Sequence, residues 1–160
     1  MEIDRPAPDE IEELADLWVA LAREQRAHGT HIRPEANRSR IAETLSRHAI
    51  TGEAFVARAN DEIAGFVTYE RTNEGFETDI DRGVVQNLYV RPAYRDAGVG
   101  ASLLDRAEAD LAADGVDAVT VEVMAANEAA HRFYERNGYE RHRVVLEKRL
   151  EDENHSKDRG

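Results

Sequence analysis

"LYVRPAYRDAGVGASLL", residues 88–104, begins as a strand, breaks at Pro92 and runs through Gly98 and Gly100 into an apolar-periodic helix marked by Leu103, Leu104, Ala107 and Leu111. A strand that ends in a glycine turn opening onto a helix is a candidate anion site. The first helical turn leaves backbone N–H groups without intrahelical partners, and the helix dipole adds partial positive charge there. Glycines ahead of that turn permit φ > 0 and let the backbone approach phosphate oxygens. Arg95 adds a cationic side chain. The same residues would also serve a plain strand-to-helix connection, so a second signal has to decide.

Outward from this stretch the hydrophobic period changes several times. "MEIDRP" (1–6) starts as a short strand, and Asp9 or a neighbour caps a helix whose apolar positions are Ile11, Leu14, Leu17, Trp18 and Leu21. "AHGTHIRPEAN" (27–37) interrupts it, and a second amphipathic helix carries Ile41, Leu45 and Ala49. "EAFVARAN" and "EIAGFVTYER", joined at Asn60–Asp61, read as an antiparallel hairpin. A polar loop, "TNEGFETDIDRG" (72–83), leads to the strand "VVQNLYV".

Beyond the glycine turn the helix stops near Gly115, and "DAVTVEVMA" (117–125) reads as a strand. "NEAAHRFYERNG" reads as a short helix capped by Asn127 and ended at Gly138, and "YERHRVVLEKRL" (139–150) as one long strand or a strand pair. "EDENHSKDRG" is expected to be a frayed polar tail, which leaves residues 1–150 as one domain and 151–160 as its tail. Hairpins in the first half and strand–helix–strand crossovers in the second predict an α+β fold around a mixed sheet.

Composition narrows the classes. The 160 residues are 41% hydrophobic, enough for one domain with a real core. No run of about 18 apolar residues predicts a membrane span, and the acidic start of the chain is unlike a secretory leader. There is no cysteine, which excludes disulfides, thiolate metal sites and a Cys nucleophile, and suits the cytoplasm. A net charge of −12 would repel nucleic acid. With only Lys148 and Lys157 as lysines, the acidic, arginine-biased composition also predicts a salt-adapted surface.

A dinucleotide fingerprint fails here. Its third glycine would fall at Leu103, and the loop has no lysine for a nucleotide P-loop. The order of pieces instead resembles the GNAT superfamily of acyl-CoA-dependent N-acyltransferases. Two blocks carry the resemblance between Val84 and Tyr139: "RDAGVG", similar to the family's Q/R-x-x-G-x-G/A loop, and "VEVMAANEAAHRFYERNGYE" (121–140), similar to its strand, Asn, tyrosine-bearing helix and Gly-aromatic end.

The resemblance implies a mostly antiparallel mixed sheet flanked by about four helices. It implies acetyl-CoA as co-substrate, an amine acceptor, direct attack in a ternary complex, and no metal. By it, the strand end Leu88–Tyr89–Val90 would pair with the pantetheine arm, and the backbone of Arg95, Asp96, Ala97, Gly98, Val99 and Gly100 would cradle the pyrophosphate. Asn127 would contact the co-substrate and cap its helix as well. Tyr134 matches the family's acid, while Phe133 beside it reads as core.

The base has two readings. Alternation over "VTVEVM" sets Val119, Val121 and Val123 against Thr120, Glu122 and Met124. A carboxylate on a valine strand suits a face that opens on a cleft, and Glu122 matches the proposed base of the branch that acetylates protein N-termini. Many members carry an acid on the preceding strand instead; here Gln86 stands in that strand and could hold a water. His28 and His31 fall in the loop where the family builds its acceptor pocket, and with no third ligand nearby they predict no metal site. A non-catalytic acyl-CoA sensor or interaction module on the same fold is the alternative function, and a homodimer is one expected assembly.

Overall fold

The computed structural model describes residues 1–72 and 75–150. Asn73 and Glu74 of the expected polar loop, and the expected tail 151–160, lie outside the described residues. The elements are β1 (Glu2–Asp4), α1 (Ile11–Arg26), α2 (Arg38–Thr51), β2 (Ala54–Ala59), β3 (Glu62–Thr72), β4 (Arg82–Val90), α3 (Val99–Ala113), β5 (Ala118–Val121) and α4 (Glu128–Arg136). The five strands form one sheet in chain order, antiparallel from β1 to β4 and parallel between β4 and β5. This is the expected mixed, mostly antiparallel sheet with four α-helices.

Period-2 patterning splits the core between the two faces of the sheet. Val56, Ile63, Phe66 and Tyr89 pack with the buried stripe of α1, including Leu14, Leu17 and Trp18, and with Leu45 of α2. Phe55, Ala57, Val67, Tyr69 and Val85 pack on the other face with Leu103, Leu104, Ala107 and Leu111 of α3. Gly83 makes the α3 contact possible, because a Cβ there would stand 2.9 Å from Leu111.

Of the expected caps, Asp9 or a neighbour, the neighbour Glu10 stands at the N-cap of α1, without a side-chain cap bond. A 3-10 turn, Pro8–Glu10, precedes the helix, and the Glu10 carboxylate accepts the Ala7 N–H at 2.7 Å while bonding Arg58 of β2. Two expectations are corrected. Strand β5 ends at Val121, so Glu122, Val123 and Met124 lie beyond it. Residues 139–150, expected as the last strand or strand pair, form no strand, and Val144, Val145, Leu146 and Leu150 are exposed. The apolar residues there run consecutively rather than alternately, so a strand would set them on both faces with no packed layer to cover either.

Candidate functional site

The sheet opens at its parallel pair. Val85 of β4 is matched to Val121, the last residue of β5, yet β4 continues to Val90. The Arg91 N–H bonds the Ala64 carbonyl at 2.8 Å, which fixes the parity of the β3–β4 ladder. In an antiparallel ladder alternate residues turn their backbone groups to the neighbour. Tyr89 and Asn87 therefore face β3, while Leu88 and Val90 turn theirs toward the side from which β5 has departed. Tyr89 is buried among the α1-face core residues, so only its backbone borders the opening.

At its far end the opening reaches the start of α3. Gly98 is the residue before the helix, with φ at +82°, and Asp96 also has a positive φ of 63°. Among the described residues no side chain caps α3 at Gly98, which leaves the N–H groups of its first turn without a capping partner. Gly100 has a different task. A Cβ there would stand 3.4 Å from the Phe133 ring and 3.7 Å from the Val90 side chain, at van der Waals contact, so Gly100 marks where α4 packs against the first turn of α3.

Arg95 is already engaged. Its Nε donates to the Val90 carbonyl at 2.8 Å, and a terminal N–H bonds Glu24 of α1 at 2.8 Å. That leaves the Leu88 groups and the Val90 N–H facing the opening. The Arg95–Glu24 pair is partly exposed on both sides, a setting in which ion pairs contribute about 0–1 kcal/mol, so a phosphate could compete for the guanidinium.

Helix α4 supplies the aromatic wall. Asn127 caps it, its Oδ1 accepting the Ala130 N–H at 3.1 Å. Phe133 and Tyr134 meet edge to face at 5.0 Å between ring centres, and Tyr134 meets Tyr139 at 5.5 Å. Burial pushes the Tyr134 hydroxyl up to about 12, and among the described residues it has no hydrogen-bond partner. Tyr139 differs. Burial and its 2.6 Å bond to the Glu108 carboxylate raise its hydroxyl further, and that proton is committed.

Glu122 is exposed, one residue past the end of β5. Gln86 is the extra residue of a bulge in β4, since Thr68 pairs with Asn87 and Tyr69 with Val85. His31 pairs with Glu147 at 2.9 Å, and no metal-binding group of side chains occurs among the described residues. Two surface clefts lie elsewhere, one beside Leu17, Tyr89 and Arg91 and one around Arg5, Tyr69 and Asp110; Gly98, Gly100 and Tyr134 line neither. Sequence reading missed the Arg95 contacts and a partner of Gln86, His48 of α2, because these are bonds between residues far apart in the chain.

With this geometry in place, the family comparison is decisive: residues 11–139 match the model of the acetyltransferase (GNAT) family. The chain belongs to the GNAT family. Family members use acetyl-CoA as co-substrate. A GNAT-related N-acetyltransferase from Ralstonia eutropha superposes with a TM-score of 0.73 at 21% identity, over 92% of this chain and 97% of that one. A ribosomal-protein-alanine N-acetyltransferase from Brucella melitensis gives 0.66 at 20% identity, over 94% and 100%. These two likenesses speak to the GNAT fold. A mycothiol acetyltransferase from Propionibacterium freudenreichii is 36% identical over 81 residues, 51% of this chain. The match spans only 26% of that relative.

Proposed function

We propose that the chain, acting as one unit over residues 1–150, transfers an acetyl group from acetyl-CoA to a primary amine by direct attack in a ternary complex. The observation that carries the reading is the opening between β4 and β5. It turns the backbone of Leu88 and the Val90 N–H toward the side that β5 has left and ends at the start of α3. An extended pantetheine arm pairs with such an edge as an added strand would. Pyrophosphate oxygens suit the N–H groups from Arg95 through Gly100, together with the helix dipole. Asn127 keeps its Nδ2 for the co-substrate while its Oδ1 caps α4.

The chemistry then falls to few groups. Tyr134 keeps its proton at physiological pH and has no hydrogen-bond partner among the described residues, so in this reading that proton is the one available to the departing thiolate as its charge develops. Glu122 takes the amine proton, directly or through a water held near Gln86. The chain has no cysteine to carry the acetyl group, in keeping with direct attack. Relatives named for mycothiol and for the alanine of a ribosomal protein leave both a small molecule and a protein N-terminus as acceptor classes. The acid-rich composition suits a salt-adapted cytoplasmic protein, and the exposed run Val144–Leu146 suits self-association into a homodimer.

The test is acetyl-CoA turnover against a panel of primary amines and N-terminal peptides, with initial rates measured over both substrates. Intersecting double-reciprocal lines are expected for a ternary complex. Parallel lines would reject direct attack. Tight acetyl-CoA binding without transfer to any amine would favour the sensor reading.

A further inference from the structure

Three side chains from three elements meet on the α1 and α2 face of the sheet, and the reading above leaves them without a task. The His48 imidazole, 8% exposed near the end of α2, lies 2.6 Å from Gln86 Oε1 through Nε2 and 2.8 Å from the Thr44 carbonyl through Nδ1. Gln86 Nε2 in turn donates to the Glu70 carboxylate of β3. The chain of contacts ties α2 to the bulge of β4 and the bulge to β3.

The bulge sits where the sheet opens. Gln86 is one residue past Val85, and Glu122 is one residue past Val121, so the two follow the last β4–β5 pair on their respective strands. Val119 and Val121 pack with the α3-face core, and Glu122 is exposed just beyond them. An amide offers two N–H donors and an oxygen with two lone pairs. His48 occupies one lone pair and Glu70 one N–H, which leaves one of each. The Glu70 carboxylate takes the amide N–H and the amide oxygen faces His48, an orientation in which His48 donates through both ring nitrogens, to Gln86 Oε1 and to the Thr44 carbonyl.

We propose that Gln86 hydrogen-bonds the acceptor amine at the mouth of the opening, and that His48 and Glu70 act through it as positioning residues. An amine N–H donated to the free lone pair of Oε1 leaves the amine's own lone pair available for attack. The inference rests on the acetyl-transfer reading. A purely structural bridge between α2 and the sheet would affect stability and leave the kinetics alone.

A double-mutant cycle separates these roles. In Gln86→Leu, kcat/KM for the amine should fall about 10-fold, the size expected for loss of one oriented hydrogen bond, while the acetyl-CoA Kd by calorimetry stays unchanged. His48→Leu should lose a similar factor, and the double variant no more than either single one, because both remove the same contact. Glu70→Gln, whose amide can donate as well as accept, no longer fixes the Gln86 orientation and should lose part of the same factor in kcat/KM for the amine. His48 is buried, so if its variant does not fold, Glu70→Leu takes its place in the cycle. Unchanged kcat/KM for the amine in a folded Gln86→Leu, or losses that simply add in the double variant, would overturn the proposal while wild type still transfers acetyl groups. A wild type that transfers none would overturn the underlying reading, and this inference with it.

Discussion

Helices α1 and α4 lie against opposite faces of the same sheet, and they are packed in different ways. α1 buries Ile11, Leu14, Ala15, Leu17, Trp18, Val19, Leu21 and Ala22, whereas no residue of α4 is fully buried. The strands beside them follow suit. β3 is buried continuously from Ile63 to Tyr69, while every residue of β5 is only half-buried. The first region has matched its apolar and backbone groups internally. The second keeps backbone groups at Leu88 and Val90, the first turn of α3 and the Tyr134 hydroxyl available. In the proposed reading, binding sits where the packing is incomplete, and the well-packed half holds that half in shape.

The comparison breaks most visibly at Gly98. A Cβ there would have nothing within 4 Å, yet φ at +82° strains any β-branched residue. Gly98→Val should abolish acetyl-CoA binding by calorimetry while costing only about 1–3 kcal/mol of stability. Unchanged affinity would remove the loop from the site.

Tyr134→Phe should reduce turnover roughly 10²-fold with acetyl-CoA affinity little changed. Because burial holds the hydroxyl up at about 12, the wild-type rate should show no loss from tyrosine ionisation on the alkaline side below that range. Full activity in the variant would make Tyr134 a packing residue only.

Glu122→Gln is expected to lower turnover near neutral pH about 10-fold. The rise of rate with pH should move toward the titration of the free amine, since the variant depends on amine that is already neutral. Profiles that superimpose at saturating acetyl-CoA would reject Glu122 as base.

The smallest effect belongs to the packed half. Burial raises the Glu10 carboxyl, but hydrogen bonds from Arg58 and the Ala7 N–H outweigh that and hold it below the usual glutamate value. A carboxyl lowered on folding adds stability above its unfolded value and loses it as pH falls through its folded value. Glu10→Gln should therefore cost about 1 kcal/mol at neutral pH, and the gap from wild type should close in acid. Acetyl-CoA affinity should not change; a parallel loss of affinity would blur the distinction between the two halves.

Most of the architecture was legible in the sequence because it rests on periodicity. The stripe Leu14–Leu17–Leu21, the hairpin about Asn60–Asp61 and the turn from Val90 to Val99 are local patterns with local causes. The failures arose where local pattern underdetermines structure. "DAVTVEVMA" has strand character throughout, but β5 stops at Val121 because β4 diverges, which no property of those nine residues signals. Val144–Leu146 favours strand, yet strand requires a partner. The two glycines looked alike in sequence and differ in role, Gly98 by its backbone angle and Gly100 by the Phe133 ring against it. His48 and Glu70 were invisible because their bond to Gln86 spans 38 and 16 residues.

The central claim, that the opening between β4 and β5 is the acetyl-CoA site, is most directly tested by backbone amide NMR during titration with acetyl-CoA. Saturable shifts are expected at Val90, Val99 and Gly100, with β1 and β2 unaffected. Saturation with those three amides unmoved, or with shifts confined to the α1 face of β2 and β3, would contradict the account.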